Sequence, residues 1–189
     1  MRLGGAALKR ARKIRLLVMD VDGVLTDGRM ILSERGDELK SFHTHDGVAI
    51  ALAKRAGLKT ALITGESSPI AKARGAKLGV DSVVLGARRK GETVDALLAE
   101  FDLPAEAVAY IGDDLLDVPA LQMVGLAVTV ADAPPEVKQT AHVVTRARGG
   151  HGAVRECVTL ILRAQGVWRS IVDGYVDDHG GSPRPRRRA

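Results

Sequence analysis

Short apolar runs in this chain repeatedly stop on a polar residue that can do chemistry. Residues 15–20 run apolar and end in Asp20-Val21-Asp22-Gly23. Residues 59–64 end in Thr64-Gly65. Residues 82–85 form a shorter run, with Lys90 opening the helical pattern that follows, and residues 108–111 lead into Gly112-Asp113-Asp114. Helical patterns separate them. Asp46 is read as the cap of a helix through Arg55, stopped by Gly57, and Ser68-Pro69 as the start of one through Leu78, ended by Gly79. Residues 92–101 place Val94, Leu97, Leu98 and Phe101 on one face, and residues 117–124 give another short helix. Two more strands, residues 126–130 and 142–145, precede a closing helix over 153–164. Near-continuous apolar strands alternating with helices predict an α/β fold: a three-layer, doubly wound parallel sheet covered on both faces. Ligands in such sheets bind beyond the carboxyl ends of the strands. That rule gathers Asp20, Asp22, Thr64, Lys90, Asp113 and Asp114 into one cleft.

One segment breaks the alternation. Met30-Ile31-Leu32 and Leu39-Lys40-Ser41-Phe42 flank a polar stretch, Ser33 to Glu38, which predicts a β-hairpin inserted straight after the first strand. With 189 residues there is little room for a second domain of ordinary size. No apolar run is long enough to span a membrane, and the run before Asp20 is too short for a signal-peptide core. The single cysteine, Cys157, fits a reducing cytoplasm and reads as a buried structural thiol. Aromatics at 3% leave little for stacking nucleic-acid bases.

The net charge of +5 comes from the ends. Arg2, Lys9, Arg10, Arg12, Lys13 and Arg15 lie at one, and Arg184, Arg186, Arg187 and Arg188 at the other. With those ten set aside, 18 cations remain against 23 acids. Residues 1–13 therefore read as a basic extension and 14–166 as the folded domain. Residues 167–189 read as an extension ending in a disordered Arg-rich tail, with Trp168 and Tyr175 as anchors.

Several carboxylates at one point repel unless a cation neutralises them, and hard oxygen ligands select Mg²⁺. A lysine and a threonine beside such a metal suit a phosphoryl group, whose oxygens need positive charge and donors. Taken singly each piece has an ordinary reading: Asp-x-Asp as a turn, Thr-Gly as a strand end, Lys90 as a solvated helix start. Their joint occurrence at strand ends, in this order, favours chemistry. A receiver domain with a phosphorylated aspartate also uses acids, Mg²⁺, Thr and Lys. It needs that lone Asp after its third strand, and residues 82–85 carry none. A non-catalytic scaffold is the other alternative, opposed by intact Asp20, Asp22 and Asp113.

The run from Asp20 to Gly28, with Thr64-Gly65, Lys90 and Gly112-Asp113-Asp114, resembles the four motifs of the haloacid dehalogenase (HAD) superfamily of phosphohydrolases. The early hairpin, residues 42–47, the phrase from Tyr110 to Asp117, and Gly149-Gly150-His151-Gly152-Ala153-Val154-Arg155-Glu156 narrow it. Over about residues 14–165 the chain is similar to the capless 3-deoxy-D-manno-octulosonate 8-phosphate (KDO 8-phosphate) phosphatases. That resemblance implies Asp20 as nucleophile and Asp22 as general acid and base. It implies Mg²⁺ held by Asp20, the Asp22 carbonyl and Asp113, with Asp114 in support. Thr64, Gly65 and Lys90 would bind the phosphoryl group. It further implies a homotetramer in which a neighbour's hairpin covers each site, with Met30, Ile31 and Leu32 at the interface.

Glu66 after Thr64-Gly65, with Lys77 on the next helix, resembles instead the phosphatases of nine-carbon sugar acids such as KDN 9-phosphate. Together with His45, these are the candidate sugar-binding residues. A surface ion pair is the ordinary reading of Glu66 and Lys77. A second metal site at His43 and His45 lacks any further ligand.

Overall fold

The computed structural model describes residues 4–181. Residues 1–3 and the Arg-rich end, 182–189, lie outside the described residues, and so does the expectation about that tail. Six parallel strands form the main sheet: β1 (Leu16–Asp20), β4 (Lys59–Ile63), β5 (Ser82–Val84), β6 (Val108–Gly112), β7 (Leu126–Thr129) and β8 (Val143–Val144). Their order is β5-β4-β1-β6-β7-β8. A separate antiparallel pair, β2 (Ile31–Leu32) and β3 (Glu38–Leu39), is the expected hairpin, with Ile31 facing Leu39 in register.

From β1 the chain moves outward to β4 and β5, then returns to the other side of β1 for β6. Right-handed crossovers put the two sets of connecting helices on opposite faces. On one face lie α1 (Gly5–Ala11), α2 (Thr44–Arg55), α3 (Pro69–Leu78), α7 (Ala153–Ala164) and α8 (Trp168–Asp178). On the other lie α4 (Lys90–Phe101), α5 (Val118–Met123) and α6 (Pro135–Thr140). The direction reverses at β1, so the crevice opens beyond the carboxyl ends of β1 and β6.

Burial explains the apolar strands. Every residue of β1 and β6 is buried, because helices cover both faces. The helix α7 shows the opposite economy: Val154, Cys157, Val158 and Ile161 face the sheet, while Arg163 stays exposed. The thiol of Cys157 is buried, as its apolar neighbours required, and burial pushes its pKa up to about 12.

Four local expectations are corrected. Asp46 does not cap its own helix. His43 does, accepting from the His45 amide, while the buried Asp46 carboxylate accepts from the amides of Gly152 and Arg155. Asp46 thus ties α2 to the start of α7. Ser68 occupies the first-cap position of α3 without a side-chain bond to that helix, its hydroxyl donating instead to Glu38 at 3.4 Å. The helix expected from Glu92 begins two residues earlier, at Lys90. The segment read as a basic extension contains α1, which buries Ala7 and Ala11 in the core. Beyond residue 166 the chain continues as α8, where Trp168 lies under the guanidinium groups of Arg155 and Arg163.

Candidate active site

The strand β1 delivers Asp20 at the crevice, 5% exposed. The chain must then turn sharply, and Gly23 permits it with φ of +87°. The Thr26 hydroxyl accepts from the amides of Gly23 and Gly28, 3.2 Å each, and closes the loop on itself. A Cβ on Gly23 would sit 2.0 Å from Asp113 Oδ2, so glycine is also what lets β6 bring Asp113 beside the first loop.

Lys90 opens α4 with its side chain 4% exposed. Its Nζ lies 3.0 Å from Asp20 Oδ1 and 2.5 Å from Asp117 Oδ1. Asp117 is wholly buried and accepts from four groups. Besides Lys90 these are Tyr110 Oη at 2.6 Å and the amides of Asp113 and Asp114 at 2.9 and 3.1 Å. It fixes both the lysine and the loop that presents Asp113. In the sequence, Asp117 is read at a helix start and within the phrase that carries the family resemblance, with no role of its own.

The electrostatics follow from crowding. Burial, then repulsion from Asp117, raises Asp20 to about 7, against the opposing pull of Lys90. Burial, then repulsion from Asp20 and Asp117, raises Asp113 to about 8. Burial works against the Lys90 ammonium, yet attraction to Asp20 and Asp117 wins and raises its pKa. The Tyr110 hydroxyl is pushed well above its ordinary value, first by burial and then by Asp117.

Asp20, Asp113 and Asp117 each place a carboxylate oxygen within 4.8 Å of the others. Asp117 already spends both oxygens on its four donors, which leaves Asp20 and Asp113 as the ligating pair. Asp113 Oδ1 is buried with no hydrogen-bond partner. An orphaned carboxylate oxygen beside a second carboxylate, both with raised pKa values, is what a hard divalent cation would satisfy.

Asp22 stands two residues past Asp20, with its side chain 19% exposed. Its Oδ1 lies 2.5 Å from Lys40 Nζ, and its Oδ2 accepts from the Thr64 hydroxyl at 3.2 Å. Lys40 was not foreseen as part of the site, because only the folding back of the hairpin brings it there. Burial opposes its charge, but hydrogen bonds to Asp22 and Glu38 outweigh that and raise its pKa.

A cavity of about 280 Å³ joins these groups. Asp20, Asp22, Thr64, Gly65, Lys90, Asp113 and Asp114 line it, with Glu66, Gly28, Met30 and Leu116 at its edges. Of the expected sugar contacts, the structure brings only Glu66 to this cavity. His45 and Lys77 are exposed and lie outside its lining.

Comparison with known proteins agrees with this geometry. Residues 80–156 match the haloacid dehalogenase-like hydrolases. The 3-deoxy-D-manno-octulosonate 8-phosphate phosphatase KdsC of Escherichia coli K12 is 43% identical over 159 residues, spanning 84% of this chain and 85% of that protein. The crystal structure of the corresponding Yersinia pestis phosphatase superposes with a TM-score of 0.85 at 43% identity, covering 87% of this chain and 89% of the other. The Moraxella catarrhalis phosphatase, solved with a magnesium ion, phosphate ion and KDO, gives a TM-score of 0.87 at 33% identity, covering 89% and 97%. This chain belongs to the 3-deoxy-D-manno-octulosonate 8-phosphate phosphatase family of the haloacid dehalogenase-like hydrolases.

Proposed function

We propose that this chain is a magnesium-dependent phosphatase that releases inorganic phosphate from 3-deoxy-D-manno-octulosonate 8-phosphate, a step toward a lipopolysaccharide sugar. The observation that carries this reading is the convergence of Asp20, Lys90 and Asp113 at the end of β1, with Asp22 two residues further on. Asp20 attacks phosphorus and forms an aspartyl-phosphate. The bond to the leaving oxygen breaks, and its electron pair stays on that oxygen. Asp22 passes a proton to it as general acid, then takes one as general base from the water that hydrolyses the intermediate. Thr64 and the Gly65 amide hold phosphoryl oxygens, and Lys90 offsets charge on nucleophile and phosphoryl group. Mg²⁺, when bound by Asp20 and Asp113 with Asp114 in support, would neutralise the charge gathered there.

The nine-carbon reading rests on a resemblance carried by Glu66 and Lys77, of which Glu66 alone lines the cavity. The 43% identity to a KDO 8-phosphate phosphatase favours the eight-carbon substrate. We further assign a homotetramer closed by the hairpin, supported by the exposed Met30, Ile31, Leu32 and Leu39, of which Met30 lines the cavity. A cytoplasmic location is supported by Cys157 standing as the only thiol. The test is Mg²⁺-dependent phosphate release from KDO 8-phosphate and KDN 9-phosphate side by side. The proposal expects the higher kcat/KM on the first. A higher value on the second would return the assignment to the nine-carbon acids, and release from neither would refute the substrate class.

A further inference from the structure

The proposed steps give no part to a lysine that touches their proton carrier. Lys40 follows β3 at the root of the hairpin, and its side chain is 1% exposed. Its Nζ lies 2.5 Å from Asp22 Oδ1 and 2.8 Å from Glu38 Oε1. Glu38 Oε2 in turn accepts from Ser68 Oγ, just past the loop that carries Thr64 and Gly65. A continuous polar chain therefore runs from Ser68 through Glu38 and Lys40 to Asp22.

Glu38 and Lys40 stand two residues apart on the hairpin itself, so their pair alone holds it to nothing, and the Glu38–Ser68 contact already supplies a tie to the domain. The Lys40 ammonium bridges further, onto the carboxyl group that handles the proton. Asp22 sits in a loop and, among the described residues, its carboxyl group has two hydrogen-bond partners, Lys40 and the Thr64 hydroxyl. A phosphoryl group in the cavity competes for that hydroxyl. Lys40 is then the one contact left to hold the carboxyl group in place. Small displacements of a proton donor are costly, because transfer needs hydrogen-bond reach to the departing oxygen.

We propose that Lys40 is a positioning residue for Asp22: anchored by Glu38, its ammonium holds the Asp22 carboxyl on the leaving-group side of the cavity, so that docking of the hairpin root is coupled to proton transfer. This rests on the reading of Asp22 as general acid and base. It adds a requirement that the nucleophile and phosphate-binding groups do not share. Loss of Lys40 should matter in proportion to how much the leaving oxygen needs a proton.

Aryl phosphates measure that need without using the sugar. The experiment compares kcat on substituted phenyl phosphates, from 4-nitrophenyl (a good leaving group) to unsubstituted phenyl (a poor one). Wild type, Lys40→Met, Asp22→Asn and the double variant are assayed with Mg²⁺, with thermal unfolding as a fold control. Lys40→Met is expected to lose about 10- to 100-fold on the poor leaving group and less than about threefold on 4-nitrophenyl phosphate, with KM little changed. Adding Lys40→Met to Asp22→Asn should cost less than about a further twofold, since residues acting as a unit are not additive. Equal losses across all leaving groups, or additive losses in the double variant, would overturn the proposal and leave Lys40 as a hairpin brace. Where Lys40→Met does not fold, Glu38→Gln keeps the ammonium on Asp22 and loosens only its anchor. It should steepen the leaving-group dependence in the same direction by a smaller amount, and an unchanged dependence overturns the proposal. A wild type that turns over aryl phosphates but not KDO 8-phosphate would refute the substrate assignment alone.

Discussion

The charge cluster behind β1 and the hairpin beside it solve opposite problems. In the cluster, Asp20, Lys90 and Asp117 have side chains no more than 7% exposed, and Asp117 meets a donor at every turn. The end of β1, the start of α4 and the turn after β6 supply these groups, so their geometry is set within one chain. In the hairpin, Met30 is 52% exposed, Ile31 51%, Leu32 67% and Leu39 64%. Only its root is buried and paired, through Lys40 and Glu38. Burying one such apolar side chain stabilises by roughly 1.5–3 kcal/mol, so the uncovered tip is a substantial drive for association. The catalytic groups need no partner to be placed, whereas the hairpin's apolar residues find no cover among the described residues.

The sharpest way to break this contrast is at the nucleophile. Asp20→Asn should lower kcat by more than about a thousandfold, since an amide cannot form the aspartyl-phosphate. Its fold should persist, because the amide is close to isosteric with the carboxyl it replaces. Phosphate release with far-ultraviolet circular dichroism reads both. Turnover above a few per cent of wild type would rule out the covalent route.

A step down in effect is Asp117→Ala. It strips Lys90 and Tyr110 of a buried partner and leaves two amides facing a gap. Breaking a buried pair on one side costs about 3–5 kcal/mol. Denaturant unfolding should show a loss of that order, with activity falling as well because Lys90 and the Asp113 loop lose their support. A variant as stable as wild type would mean that the cluster is not self-sufficient.

The hairpin answers to a different readout. Ile31→Lys with Leu32→Lys should leave the unfolding midpoint of the isolated chain within a few degrees, because both positions are exposed. Light scattering should show the oligomer dissociating. An oligomer unchanged in mass would place the interface elsewhere and cut the hairpin out of it.

How much of this could be read from residue order follows the same division. Asp20, Thr64 and Asp113 were legible because each ends an apolar run, and parallel strand ends converge by geometry. The hairpin was legible from its polar turn between apolar flanks. Asp117, Lys40 and Asp46 were not, since each acts through a partner far away in sequence. Lys90 lies 27 residues before Asp117, and Arg155 lies 109 after Asp46. Glu66 and Lys77 were paired on their resemblance to the nine-carbon sugar acid phosphatases. The structure puts one at the cavity edge and the other on an exposed part of α3, because the chain between them winds into a helix.

The smallest predicted effect tests the cluster's remaining debt, its excess of negative charge. Asp20 and Asp113 have an ordinary pKa of 3.8, and in the folded chain they rise to about 7 and about 8, through burial first and repulsion second, from Asp117 on Asp20 and from Asp20 and Asp117 on Asp113. Between those limits the folded, metal-free chain holds protons that the unfolded chain has released. Stability then falls as pH rises. The contribution is fully present below about pH 4 and is lost as pH passes through about 7 and 8. A divalent cation binds the deprotonated pair and removes that penalty, so its benefit should grow in the same direction. The gain in Tm on adding saturating Mg²⁺ should be several degrees larger near pH 8.5 than near pH 5.5. Asp113→Asn removes one of the two titrating ligands and should flatten the difference. The Ile31→Lys, Leu32→Lys variant should keep it, since the hairpin tip contributes no ligand. A gain equal at both pH values would mean that the cation does not sit between Asp20 and Asp113, and a gain lost in the hairpin variant would mean that the cluster depends on assembly after all.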